Sequence, residues 1–127
     1  MSLLKKIFSN NSERAGISTE SKINWVKLES ITQIDTIKKN SDNNTAIIFK
    51  HSTRCGISRM VLKSFEKKWA ESTDINFYIL DLIRFREMSN TIAQEFEIVH
   101  QSPQLIVLEK GKVRTHASHY DILNIAI

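Results

Sequence analysis

The spacing of apolar positions along this chain changes several times. Residues 45–50 (TAIIFK), 75–83 (INFYILDLI) and 104–109 (QLIVLE) are short, nearly continuous apolar runs bounded by polar turns. They are rich in β-branched and aromatic residues, the pattern of strands buried on both faces. Residues 25–28 form a shorter candidate strand. Between these runs the period lengthens. Ile31, Ile34 and Ile37 fall on one helical face, as do Ile57, Val61, Leu62, Phe65 and Trp69, and then Ile92, Ala93 and Phe96. Ser30, followed three residues later by Gln33, has capping-box spacing and starts the first helix. The second helix is predicted over 56–71, and Ser89 is the expected cap of the third. Residues 40–44 make a polar turn and 51–54 a loop. Lys110–Gly111 is a tight turn joining 104–109 to a hairpin partner at 112–117, and the tail 118–127 holds a short helical segment.

The predicted order is β-α-β-α-β-α-β-β-α. Strands that alternate with helices and end in a hairpin require an α/β fold, a mixed central sheet with helices on both faces. Residues 9–22 are polar and rich in Ser, Asn and Glu, so residues 1–22 are expected to be a flexible arm and 23–127 the single folded domain.

Composition narrows the function classes. With 127 residues and 41% hydrophobic content, the chain can bury a core without staples. No apolar run approaches the roughly 18 residues that a membrane span needs, and residues 1–8 lack the apolar core of a secretory signal. The formal charge is +4, but Lys and Arg are dispersed without a run of five or six, which argues against nucleic-acid binding. The single cysteine, Cys55, excludes an intramolecular disulfide and fits a reducing, cytoplasmic setting.

A lone cysteine is often just a small buried apolar residue. The setting of Cys55 argues otherwise. It falls between a buried strand and the start of a helix, at the carboxyl end of the sheet where α/β proteins bind ligands. The first helical N–H groups and the helix dipole favour a negative sulfur there. Cysteines at such positions or beside cations have pKa values lowered from about 8.5 to roughly 3.5–7.5. Lys50, His51, Arg54 and Arg59 are nearby cations or potential cations. Ser58, three residues after Cys55 in C-G-I-S, stands where a C-x-x-C motif has its resolving thiol, and its hydroxyl is expected to donate to the sulfur. Without a second thiol, Cys55 must hold a mixed disulfide until an outside thiol releases it.

A strand, a cysteine loop and a helix beginning at the cysteine form the working end of the thioredoxin fold. Pro103, the only proline, follows Ser102 at the start of a strand. X-Pro bonds are cis in only about 5–6% of cases, yet in the thioredoxin fold a cis proline here packs against the active cysteine. The Ser102–Pro103 bond is therefore expected to be cis. The four histidines show no standard metal-ligand spacing, and no metal site is expected. His100 is read as a hydrogen-bonding residue of the Pro103 loop, and Asp81 as a structural carboxylate.

The segments 50–60 (KHSTRCGISRM), 89–90 (SN), 100–104 (HQSPQ) and 117–122 (ASHYDI) together resemble the YtxJ-type monothiol bacilliredoxins, thioredoxin-like proteins linked to bacillithiol. The resemblance spans residues 24–125. It implies a reductase of protein–bacillithiol mixed disulfides, with Cys55 as nucleophile and no bound cofactor. Bacillithiol or another low-molecular-weight thiol is the co-substrate, and S-thiolated cytoplasmic proteins are the partners. A monomer or weak dimer is expected. His51, Ser58, Ser102 and Pro103 match the family's site pattern, Gly56 stands beside the cysteine, and Arg54, Arg59 and Lys50 are read as contacts for bacillithiol's carboxylates. The chain departs from the pattern at Gly56, where proline is usual, and at Tyr120, where tryptophan is usual. Two other readings stay open: an iron–sulfur carrier like the C-G-F-S glutaredoxins, whose Gly-Gly turn is missing here, and a non-enzymatic stress or binding protein with a modifiable Cys55.

Overall fold

The computed structural model describes residues 22–127. The arm expected over 1–22 lies, Lys22 apart, outside the described residues. The elements are β1 (Val26–Lys27), α1 (Thr32–Asn40), β2 (Thr45–His51), α2 (Gly56–Trp69), β3 (Ile75–Asp81), α3 (Arg86–Phe96), β4 (Gln104–Glu109), β5 (Lys112–Ser118) and a C-terminal 3₁₀ helix (His119–Asn124). They form one five-stranded mixed sheet in the order β1-β3-β2-β4-β5. β1 and β2 run parallel to β3, while β4 is antiparallel to both β2 and β5.

The side-chain alternation of β2 builds a core on each face of the sheet. Ala46 and Ile48 point to α1 and α3, where they meet Ile34, Ile37, Met88 and Ile92. Ile47 and Phe49 point to α2, where they meet Val61 and Phe65, with Ile122 of the 3₁₀ helix completing that side. Trp25, Phe49, Phe65 and Phe77 stack edge-on or tilted, with ring centroids 5.5–6.2 Å apart, an arrangement that adds to simple area burial.

Several boundaries shift for local reasons. β3 stops at Asp81, not Ile83, because the Asp81 carboxylate accepts the N–H groups of Ile83 and Arg84 and turns the chain. α3 consequently begins at Arg86, and Ser89 is a buried residue inside it, not its cap. Gln33 does reach back, accepting the N–H groups of Ser30 and Glu29 at 2.9 and 2.7 Å. Ile31 precedes the first helical residue and is exposed. At the far end of the molecule Lys110 and Gly111 both have positive φ and close the hairpin. Its tip is held by Ser41, whose carbonyl accepts from Lys110 N–H and whose hydroxyl accepts from Gly111 N–H.

Candidate active site

Strand β2 ends at His51, and the chain crosses four residues before α2 begins. Cys55 is the N-cap of α2, with extended φ and ψ of −107° and 122° and no capping bond from its side chain. Its N–H donates to Ser52 O at 3.2 Å, and its carbonyl accepts the first helical N–H, from Arg59. The thiol is half-buried. It lies at the end of a 14-residue helix where the first N–H groups lack an intrahelical acceptor.

Arg59 folds back over this turn, donating from Nη1 to Thr53 O at 3.1 Å. Gly56 lies beneath the same guanidinium, 3.8 Å from where a Cβ would stand. Arg54 is exposed in the loop. Ser58 differs from expectation. It is fully buried, its Oγ accepts Ser52 N–H at 3.0 Å, and it shares a hydrogen bond of 2.8 Å with His51 Nδ1. Its hydroxyl is thus committed to the end of β2, and the donation to sulfur expected from sequence is replaced by a tie between helix and strand. Burial lowers the His51 pKa below the usual histidine value; Arg59 adds to this and Asp81 opposes it.

The Ser102–Pro103 peptide is cis, as expected. Pro103 is buried and Ser102 half-exposed. Lys50 pairs with Gln104 across β2 and β4, so the Ser102–Pro103 turn abuts the end of β2 and the start of the cysteine loop. His119 N–H donates to Pro103 O at 3.0 Å and anchors the turn from its other side.

Lys50 lies on the other face of the sheet from the one expected. Next to His51 in a strand, it must face the opposite side of the sheet. It is completely buried on the α3 side, where its ammonium donates to Ser89 O at 3.1 Å and approaches His100 Nδ1 at 3.3 Å. It is therefore no surface contact for carboxylates beside Cys55. The network of Lys50, Ser89 and His100 escaped the sequence reading except for His100, placed correctly as a hydrogen-bonding residue of the proline loop. Ile57, expected in the core, is exposed together with Met60 one turn on, because Ser58 takes the inward position. Among the described residues no three His, Cys, Asp or Glu side chains gather as a metal site requires, and no helix is long and apolar enough to cross a membrane.

A half-buried thiol at a helix N-cap, beside a cis-proline turn on a mixed five-stranded sheet, is the arrangement of thioredoxin-fold redox proteins. The family model described as monothiol bacilliredoxin BrxC matches residues 26–127, almost all of the described chain. The chain belongs to the monothiol bacilliredoxin family. Among solved structures it is similar to a protein described as an oxidoreductase with a thioredoxin fold. That pair is 30% identical with a TM-score of 0.69, and the match covers 79% of this chain and 88% of the other. It also superposes on thioredoxin NaTrxh from Nicotiana alata at 22% identity and TM-score 0.66, covering 84% and 90% of the two chains. For thioredoxin from Trypanosoma brucei brucei the values are 19% and 0.64, covering 84% and 88%. These two show the shared fold. This bacilliredoxin is accordingly a thiol oxidoreductase of the thioredoxin fold with a single cysteine.

Proposed function

We propose that the protein reduces mixed disulfides between cytoplasmic proteins and bacillithiol, with Cys55 as the only sulfur nucleophile. One observation carries the reading. Cys55 is accessible at the start of α2, and Ser58, where a second thiol would resolve the adduct, is a buried serine occupied by Ser52 and His51.

The chemistry balances as two thiolate exchanges. The Cys55 thiolate attacks the bacillithiol sulfur of the mixed disulfide. The old S–S bond breaks, the target protein leaves as a thiolate and takes up a proton, and bacillithiol stays on Cys55. A free low-molecular-weight thiolate then attacks the bacillithiol sulfur of that adduct, forming a small-molecule disulfide and restoring Cys55. No electrons leave or enter beyond those of the thiols and disulfides. The attacking sulfur stands at the start of α2, with Arg54 exposed in the same loop and Arg59 over the same turn. Arg54 and Arg59 supply positive charge for bacillithiol's carboxylates. The backbone of Ser102, beside cis-Pro103, offers an edge to the incoming chain, and the exposed Ile57 and Met60 offer it an apolar surface.

The test is intact-protein mass spectrometry with a bacillithiolated reporter. Wild type is expected to gain the mass of bacillithiol while the reporter is freed, and Cys55→Ser is expected to do neither. Release of the reporter by Cys55→Ser, or capture of the reporter itself in place of bacillithiol, overturns the proposal.

A further inference from the structure

The buried Lys50 takes no part in the exchange at Cys55, and its surroundings define a second feature of the site. A lysine ammonium has three donors and no acceptor. With Lys50 Nζ 3.3 Å from His100 Nδ1, that nitrogen must present its lone pair. Ser89 Oγ, 3.2 Å from the same nitrogen, is compatible with this because a hydroxyl can also donate. His100 is therefore neutral, with its one proton on Nε2. Protonating Nδ1 would set an N–H against the ammonium. Burial, then Lys50 and Arg86, accordingly lower the His100 pKa.

The two ring nitrogens of an imidazole point in nearly opposite directions. With Nδ1 bonded to Lys50 and Ser89, Nε2–H points away from both on a half-exposed residue, and it has no acceptor among the described residues. The loop is held at a second point, where Gln104 Nε2 donates to Val99 O at 2.9 Å. Gln104 is the strand partner of Lys50. Both residues flanking the start of the proline loop are thus pinned from the sheet, and His100 stands two residues before Ser102. The charges acting on it, Lys50 and Arg86, are both positive.

We propose that His100 Nε2–H is a substrate contact, a fixed donor for a carboxylate of the small-thiol half of the mixed disulfide, and that Lys50 is the positioning residue that sets its tautomer. The inference rests on the exchange proposed at Cys55 and adds to it a specificity determinant on the α3 side of the proline turn. An ionised acceptor strengthens such a hydrogen bond, and a neutral small thiol gains nothing from it.

The experiment compares two mixed disulfides of one reporter protein, formed with bacillithiol, which bears carboxylates, and with 2-mercaptoethanol, which bears none. In His100→Phe the ratio of the two kcat/KM values is expected to fall about tenfold through KM for the bacillithiol form. Lys50→Met is expected to shift the ratio the same way, with alkylation of Cys55 as fast as in wild type. Nitrogen-15 NMR is expected to find His100 as the Nε2–H tautomer in wild type at pH 7, and a mixture of tautomers in Lys50→Met. An unchanged ratio, an equal loss on both reporters, or an Nδ1–H tautomer in wild type overturns the proposal. If wild type reduces neither reporter, the exchange reading fails by itself, and the contact is decided by adding bacillithiol disulfide to wild type. A shifted His100 Nε2–H signal supports the contact, and an unmoved one overturns it.

Discussion

Lys50 and His51 are neighbours in β2 and serve opposite faces of the sheet. The Lys50 ammonium bonds Ser89 and His100 behind the proline loop, while the His51 imidazole bonds Ser58 beneath the cysteine loop. One turn of strand pleat therefore braces both halves of the site from the same two residues.

Burial lowers the Lys50 pKa from 10.5 to about 8. The unfolded chain then holds the Lys50 proton through a pH range in which the folded one has released it, so stability rises as pH climbs from about 8 toward 10.5. The free energy of unfolding in urea, measured across this range, is expected to gain on the order of 2 kcal/mol in wild type relative to Lys50→Met. Parallel curves for the two proteins would contradict the assignment.

On the acid side, His51 and His100 both have folded pKa values below the ordinary 6.5, chiefly through burial. Below that value the unfolded chain takes up protons first, so these histidines make stability fall as pH drops below about 6.5. Proton NMR of the ring signals should find both titrating below 6.5, and a midpoint at or above it for either would remove its part.

Ser58→Ala removes the acceptor of Ser52 N–H and the partner of His51 Nδ1 while leaving the thiol in place. An unsatisfied buried donor costs about 1–3 kcal/mol. Denaturant titration should show a loss of that size, and the loss should exceed that of a serine-to-alanine change at exposed Ser64.

Gly56 is the first residue of α2, and Cys55 before it already has the extended conformation that proline requires of its predecessor. The nearest atom to an added Cβ is 3.8 Å away, an ordinary contact. Gly56→Pro is therefore expected to stabilise the protein by about 0.4–1 kcal/mol, mostly by restricting the unfolded chain. A lower denaturation midpoint would show that the Gly56 N–H or its backbone angles matter here.

β2, β3 and β4 were legible because each is a compact apolar run, and the thioredoxin-like order followed from their alternation with helices. Cys55 and the cis bond before Pro103 were legible for a different reason, since each sits at a fixed place in that order. Proximity along the chain sets Lys50 beside Cys55, and the strand pleat takes it away. The alternation in β2, with Ile47 and Phe49 on one face and Ala46 and Ile48 on the other, already assigns Lys50 to the side away from Cys55. Its partners Ser89 and His100 are 39 and 50 residues distant, and no local pattern announces such contacts. Ile57 and Ser58 exchanged their expected roles because a hydrogen-bond requirement at the end of β2 outweighed the burial of one isoleucine.

The serine at position 58 has a further consequence for timing. Under the proposed exchange, a loaded Cys55 has no internal route to release its cargo, so the dwell time of the adduct is governed by the supply of free thiol around the molecule. The loaded fraction would then track the state of the cell's small-thiol pool, rising as that pool is consumed and falling as it recovers.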